Sequence, residues 1–422
     1  MRRAGLVAAL VALALPAAAQ DAATLTQPLP EVPPAAAGVH FPQLSTEIDM
    51  SMIGVGTTSA TDAARTGTSV FLFGEVAMGL ALTENFSLQG VLATEPIGEG
   101  DSTGGFPDGG LIGFRRQALF LEQLYAEFKP ADTLVLQGGI LVAPFGRGYH
   151  DFPGILTAIR AHEVYLVDQS LGAAGTWTYL SDPRFGEHDI SAAVFTLDRS
   201  FLTGSYITSP RCCSERYERY NRNTAAQGGP GNNGTFNNGV VALDGDRIPF
   251  LPGFSYHLAV MSLAPGSDGT AREWGYAAGV RYEHRWDREQ ATLLFVEGVQ
   301  FRNAGGRPRV EVETTSIDAD TGEEMVDTSD TTLSDRVTFS TIGVQHRIGP
   351  WHAVAAWQQL RRKRSIDPVP AENWYEVSVG RAIGYGFSAD LGYQYARYVD
   401  EESGSRGTSH SILARLRYTG SF

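Results

Sequence analysis

Six arginines in the C-terminal third of the chain recur at even spacings: Arg281 and Arg285, Arg362 and Arg364, Arg415 and Arg417. On an extended chain an even spacing puts both side chains on one face. A row of guanidiniums on one wall is the chemistry of phosphate or carboxylate binding, because the planar fork of donors matches either anion bidentately. Glu273, Glu283, Glu376 and Asp390 share those strands. A mixed ladder, in which the charges pair across the wall and stiffen it, is therefore the competing expectation. A second group of charged side chains falls within residues 146–172: His150, Asp151, Arg160, His162, Glu163 and Asp168 surround PGILTAIRAHEV, a stretch suited to a short helix.

Other chemistry finds less support. Cys212 and Cys213 are the only cysteines and they are adjacent, so the chain has no disulfide framework. A bond between them would be strained, because their Cα atoms stand only about 3.8 Å apart. The acidic run SIDADTGEEMVD, with Asp318, Asp320, Glu323 and Glu324, lacks the full spacing of a calcium loop and reads as solvated. The nine histidines are scattered, and no G-x-S-x-G elbow or Ser/His/acid set emerges. No catalytic residue, metal site or cofactor is expected. A net charge of −14 argues against a nucleic-acid partner.

The elements that must position these residues are strands. Trp274, Tyr276, Ala278, Val280, Tyr282 and Trp286 alternate with Glu273, Gly275, Ala277, Gly279, Arg281, Glu283 and Arg285. Tyr375, Val377, Val379 and Ile383 likewise face away from Glu376, Ser378 and Gly380. Such alternation marks sheets with unlike faces. Connections alternate too. Brief ones fall at 84–85, 129–132, 181–186, 286–288, 348–350 and 384–386, and long polar ones at 55–68, 98–117, 146–172, 202–238, 304–334, 364–373 and 400–409. Long loops all at one end are the habit of a membrane β-barrel, not of a soluble sandwich. Parity between short and long connections requires one further strand near 239–247, which brings the total to about sixteen, with fourteen to eighteen as the range. Glu122 and Glu297 resist this pattern, since both fall among the apolar positions of their strands. A bulge, an interfacial position or a lumenal network would each accommodate them.

The first nineteen residues, with Arg2 and Arg3 before a short apolar run and Ala17–Ala19, have the layout of a secretory signal peptide. Residues 20–39 are an Ala/Pro-rich lead, and 40–422 form the barrel.

The terminal strand HSILARLRYTGSF carries Ile412, Ala414, Leu416, Tyr418 and Phe422 at alternate positions. In this the chain resembles the outer-membrane porins of Gram-negative bacteria, whose last strand ends in an aromatic residue. The segment LYAEFKPADTLVLQGGILVAPFG, with Gly138, Gly139, Pro144, Phe145 and Gly146, looks like the hairpin of phosphate-selective-type and siderophore-type porins. The resemblance implies an all-β transmembrane antiparallel barrel in the outer membrane, among its lipid and lipopolysaccharide. It implies that Phe422 and Tyr418 are read by the barrel-assembly machinery, and that loop 146–172 folds inward and narrows the channel. The pore-lining candidates are then Arg160, His162, Glu163, Asp168, Arg281, Glu283, Arg285, Arg362, Asp390, Arg415 and Arg417. The expected function is passive passage of small hydrophilic solutes, phosphate or a siderophore among them, through a charge-lined lumen. The alternatives are an outer-membrane barrel enzyme and a plugged transporter for hydrophobic solutes, against which the polar inner faces count. A homo-oligomer stays open, because a subunit interface on the lipid-facing wall would look like ordinary apolar strand.

Overall fold

In the computed structural model the described residues are 40–96, 110–114, 117–197, 200, 202, 204–207, 229–267, 270–305, 309–317, 324–332, 335–363, 369–399 and 405–422. The signal-peptide and lead segments, the Cys212–Cys213 pair, Arg364 and residues 318–323 of the acidic run lie outside them.

Nineteen strands run through the described residues. The first nine are β1 (Gln43–Ala60), β2 (Gly67–Thr83), β3 (Phe86–Pro96), β4 (Leu111–Gly113), β5 (Gln117–Ala131), β6 (Leu134–Leu141), β7 (Ser170–Asp182), β8 (Gly186–Leu197) and β9 (Asn238–Asp246). They are followed by β10 (Phe254–Leu263), β11 (Glu273–Arg285), β12 (Gln290–Ala304), β13 (Arg309–Ile317) and β14 (Glu324–Thr332). The last five are β15 (Asp335–Ile348), β16 (Trp351–Lys363), β17 (Glu372–Gly384), β18 (Phe387–Val399) and β19 (Arg406–Ser421).

Sixteen of them form one antiparallel wall that closes on itself, because β1 pairs with β2 on one side and with β19 on the other. Closure leaves the sixteen-stranded wall without an open edge. Phe422 completes the seam: its amide donates to the Thr46 carbonyl at 2.8 Å and its carbonyl accepts from the Thr46 amide at 3.0 Å. The three strands outside the wall are β4, which lies parallel to β2 at Thr68–Val70, and the β13–β14 hairpin, a separate sheet between β12 and β15. The extra strand that parity demands is β9.

Alternation sorts the side chains as a bilayer requires. On β17 the outward Tyr375, Val377, Val379 and Ile383 are exposed, while the inward Trp374, Glu376 and Ser378 are buried. The outer surface carries exposed Met52, Leu88, Leu136, Val260, Val280, Val344, Val377, Leu391 and Leu416. Exposed aromatics flank this apolar band, with Trp286, Trp351, Tyr385 and Phe387 at the short-turn end and Trp274, Tyr375 and Tyr393 toward the loop end. An apolar belt between two aromatic girdles is the exterior of a transmembrane β-barrel.

The two resisting acids resolve differently. Glu122 is the extra residue of a β-bulge: Gln123 pairs with Val91 and Leu121 with Leu92, so the register shifts at Glu122 and its carboxylate turns inward. Glu297 needs no bulge. It shares the inner face of β12 with the buried Leu293, Phe295, Val299 and Phe301, so this strand is apolar on the lumenal side as well as the lipid side. A carboxylate on the lipid face would be destabilising in proportion to its depth, and neither acid occupies that face.

Candidate functional site

Residues 142–169, between β6 and β7, do not stay at the rim. They carry two short helices, α1 (Gly148–Asp151) and α2 (Thr157–Tyr165), and a set of fully buried apolar side chains: Phe145, Phe152, Ile155, Leu156, Ile159, Leu166 and Val167. So apolar a connection would be unstable in water. It folds into the lumen and packs against the far wall. Ile155, Leu156 and Ile159 meet Ile53, Val55, Phe71 and Leu413 from β1, β2 and β19. Phe152 makes an edge contact with Phe295 at 5.1 Å, and Phe145 lies 5.8 Å from Phe301. Inward glycines receive these rings: a Cβ on Gly275 would come within 2.7 Å of Phe145, and one on Gly343 within 2.9 Å of Phe152.

Two carboxylates on the opposite wall latch the loop. Glu297 accepts the amide hydrogens of Arg147 and Gly148, both at 2.9 Å, and the hydroxyl of Tyr165. Glu376 accepts those of Ile155 at 2.5 Å and Leu156 at 3.0 Å. Each latch satisfies consecutive backbone donors that no regular element would pair, and charge-assisted bonds of this kind are the stronger ones. Further ties spread around the wall. His257 Nε2 accepts from the Gly146 amide at 3.1 Å while its Nδ1 lies 2.9 Å from Asp244. Arg415 donates to the Gly154 carbonyl at 2.8 Å. Within the loop Arg147 pairs with Asp151 at 2.8 Å. Burial holds the Asp151 carboxyl above the usual aspartate range, with Arg147 and Arg281 partly opposing that shift.

The loop residues singled out in the sequence are mostly packed. Arg160 is 5% exposed, donates to Gln358 at 2.9 Å and stacks 4.3 Å over Trp374. His162 is equally buried, with its Nδ1 4.0 Å from Glu95 and an edge contact to Phe73. Asp168 is buried on the wall from which the loop springs, near Glu122. Glu163 is partly exposed, and the side chain of His150 is not described.

The described arginines of the predicted ladder, Arg281, Arg285, Arg362, Arg415 and Arg417, have the inward parity that their spacing predicts, and carboxylates meet them. Arg281 and Arg285 both reach Glu283, at 2.9 and 3.0 Å, and Arg362 reaches Glu372 at 3.3 Å. Arg415 pairs with Asp390 at 3.0 Å, and Asp390 also bonds His352 at 2.6 Å. Arg417 pairs with Asp49 across the seam. The geometry is the mixed ladder rather than a free anion row. Tyr418 points outward against Phe387, at 4.9 Å between ring centroids.

Apart from Arg362 and Glu372 at the loop end of β16 and β17, the paired charges of the ladder line the short-turn half of the lumen, and apolar packing fills much of the level of the loop. There the inner faces of β8 to β18 contribute Phe195, Val240, Met261, Leu263, Phe301, Phe339 and Leu360 to one cluster with Phe145 and Tyr165. Sequence reading missed His257, Gln358, Asp49 and the latching role of Glu297 and Glu376. The signal for Glu297 was its misfit: an acid among apolar positions marks a carboxylate with a buried partner.

No family model matches the sequence, and no curated protein matches it significantly. Among solved structures the fold is similar to the outer-membrane channel DcaP of Acinetobacter baumannii, with a TM-score of 0.52 over 90% of this chain and 96% of that one at 8% identity. OmpT of Vibrio cholerae (TM-score 0.47, 9% identity, 90% and 97% covered) and an anion-selective porin from Comamonas acidovorans (0.46, 8%, 89% and 99%) align over similar lengths. The DcaP likeness shows a shared barrel architecture.

Proposed function

We propose that this chain is an outer-membrane porin, a passive channel for small hydrophilic solutes whose width is set by the loop at 142–169. The observation that carries the reading is the latched loop: it leaves the rim, crosses the lumen and binds Glu297 and Glu376 on the opposite wall. A channel needs a polar path and a device that narrows it. The charged ladder on the short-turn side supplies the first and the loop the second. The architecture shared with a known outer-membrane channel supports the placement. Because each described inward arginine of the ladder already has a carboxylate partner, a general hydrophilic path fits better than a dedicated phosphate or siderophore site. Passage involves no covalent step.

Planar-bilayer recording with the purified chain tests the reading. Discrete conductance steps in simple salt are expected. A correctly folded protein that gives none would overturn it.

A further inference from the structure

Five basic side chains crowd one sector of the outer rim. Arg302 on β12, Arg336 on β15, Arg361 and Lys363 on β16 and Arg397 on β18 are all exposed. Each lies within three residues of the loop end of its strand. All share the outward parity of their strands with the exposed Leu294, Ile342, Val344 and Leu391, which lie further along the wall toward the short-turn end. The register places them together. Arg302 stands opposite Arg336, and Arg336 opposite Lys363, so three cations form one row across three neighbouring strands.

Like charges directly opposite one another on a sheet face destabilise it. Elsewhere the barrel answers its arginines with acids, as at Arg281, Arg415 and Arg417. Here it does not: among the described residues none of the five has an ion-pair partner. Two contact aromatic rings instead. Arg302 lies 5.3 Å over Tyr276, and Arg397 donates to the Tyr395 hydroxyl at 3.2 Å. Tyr276 follows Trp274 on the outward face of β11 and Tyr395 stacks on Tyr375 at 6.1 Å, beside the loop-end girdle where hydrocarbon gives way to headgroups, so the cations sit at headgroup depth. At the opposite rim Arg381, over Trp351 at 5.1 Å, is a lone outward base with no such row beside it.

From this juxtaposition we infer that the outward face of β12, β15, β16 and β18 at the loop end is a docking surface for a bis-phosphorylated glycolipid of the outer leaflet, of the lipid A type. The charge complementarity is direct. Two phosphates on a sugar headgroup neutralise the row that the protein leaves unanswered, guanidinium forks bind phosphate oxygens bidentately, and the acyl chains lie along the apolar band below. The inference rests on the outer-membrane placement and not on conduction.

Native mass spectrometry of the full chain in detergent, titrated with lipid A, tests it. Wild type is expected to retain lipid A when phosphatidylethanolamine dissociates. An R336A/R361A/K363A variant is expected to bind lipid A about tenfold more weakly, because surface bases attract anionic headgroups and salt screens part of that attraction, while R381A binds as wild type. Heat-modifiable migration on gels confirms that each variant is folded. Equal retention by the triple variant, or no preference for lipid A over phosphatidylethanolamine, would overturn the inference, as would a co-purifying protein found on this rim. Loss of lipid binding with conductance intact strikes the docking surface alone; loss of conductance with lipid binding intact strikes only the channel.

Discussion

The carboxylate of Glu297 holds the amides of Arg147 and Gly148 from 150 and 149 residues away, both at 2.9 Å. Glu376 does the same for Ile155 and Leu156. Two side chains on the far wall, distant in sequence, thus hold the backbone of the loop at two places.

Replacing both with glutamine tests this. Glutamine keeps one acceptor oxygen but presents a donor to the second of each pair of amides, and a buried amide left unpaired costs about 1–3 kcal/mol. The E297Q/E376Q protein is expected to show larger and noisier single-channel currents than wild type, as the loop samples positions off the wall. Unchanged current amplitude and noise in the double variant would mean that apolar packing alone holds the loop.

Gly154 makes the second turn of the loop possible. Its φ is +126°, and a Cβ there would lie 2.1 Å from Thr157 Oγ1 and 2.8 Å from Glu376 Oε1. Gly154→Ala should therefore strain the backbone by about 1–3 kcal/mol and push the loop from its second latch. Limited trypsin digestion is expected to cut the variant faster at Arg147 or Arg160. Gly138→Ala serves as the control, since nothing lies within 4 Å of its added Cβ.

Selectivity should follow the pairing of the ladder. Asp49 is 48% exposed and Arg417 14% exposed, so each is near water and each loses its partner if the other is removed. In a salt gradient the wild type is expected to show little anion preference. R417A should move the reversal potential toward cations and D49N toward anions. Shifts in the same direction would show that this pair does not line the ion path.

Asp151 links the loop to pH. Its carboxyl titrates above the ordinary aspartate range because burial disfavours the charged form, against the pull of Arg147 and Arg281. A raised folded-state value means that its contribution is fully present below the unfolded aspartate value and is lost as pH rises through the folded one. Heat resistance of the wild type should accordingly fall across that acidic window as pH increases. D151N, which cannot ionise, should flatten the dependence. A D151N profile parallel to wild type would remove Asp151 from the account.

Period-two alternation carried the wall. It assigned Arg281, Arg415 and Arg417 to the inner face, Tyr418 to the outer one and, through the parity of its connections, a strand at 239–247. Those assignments are local: alternation says which side of a strand a residue occupies, and short or long connections say which end it turns at. What stands opposite a side chain is not local. The apolar inner face of β12 is invisible as such in sequence, because burial against lipid and burial against an inward loop reward the same residue types. Nor does alternation reveal that Arg417 meets Asp49, 368 residues earlier, or that Glu122 turns inward on a bulge. Only closure of the barrel, which brings β1 beside β19 and lays the loop across the lumen, decided which acids answer which bases and which carboxylates became latches.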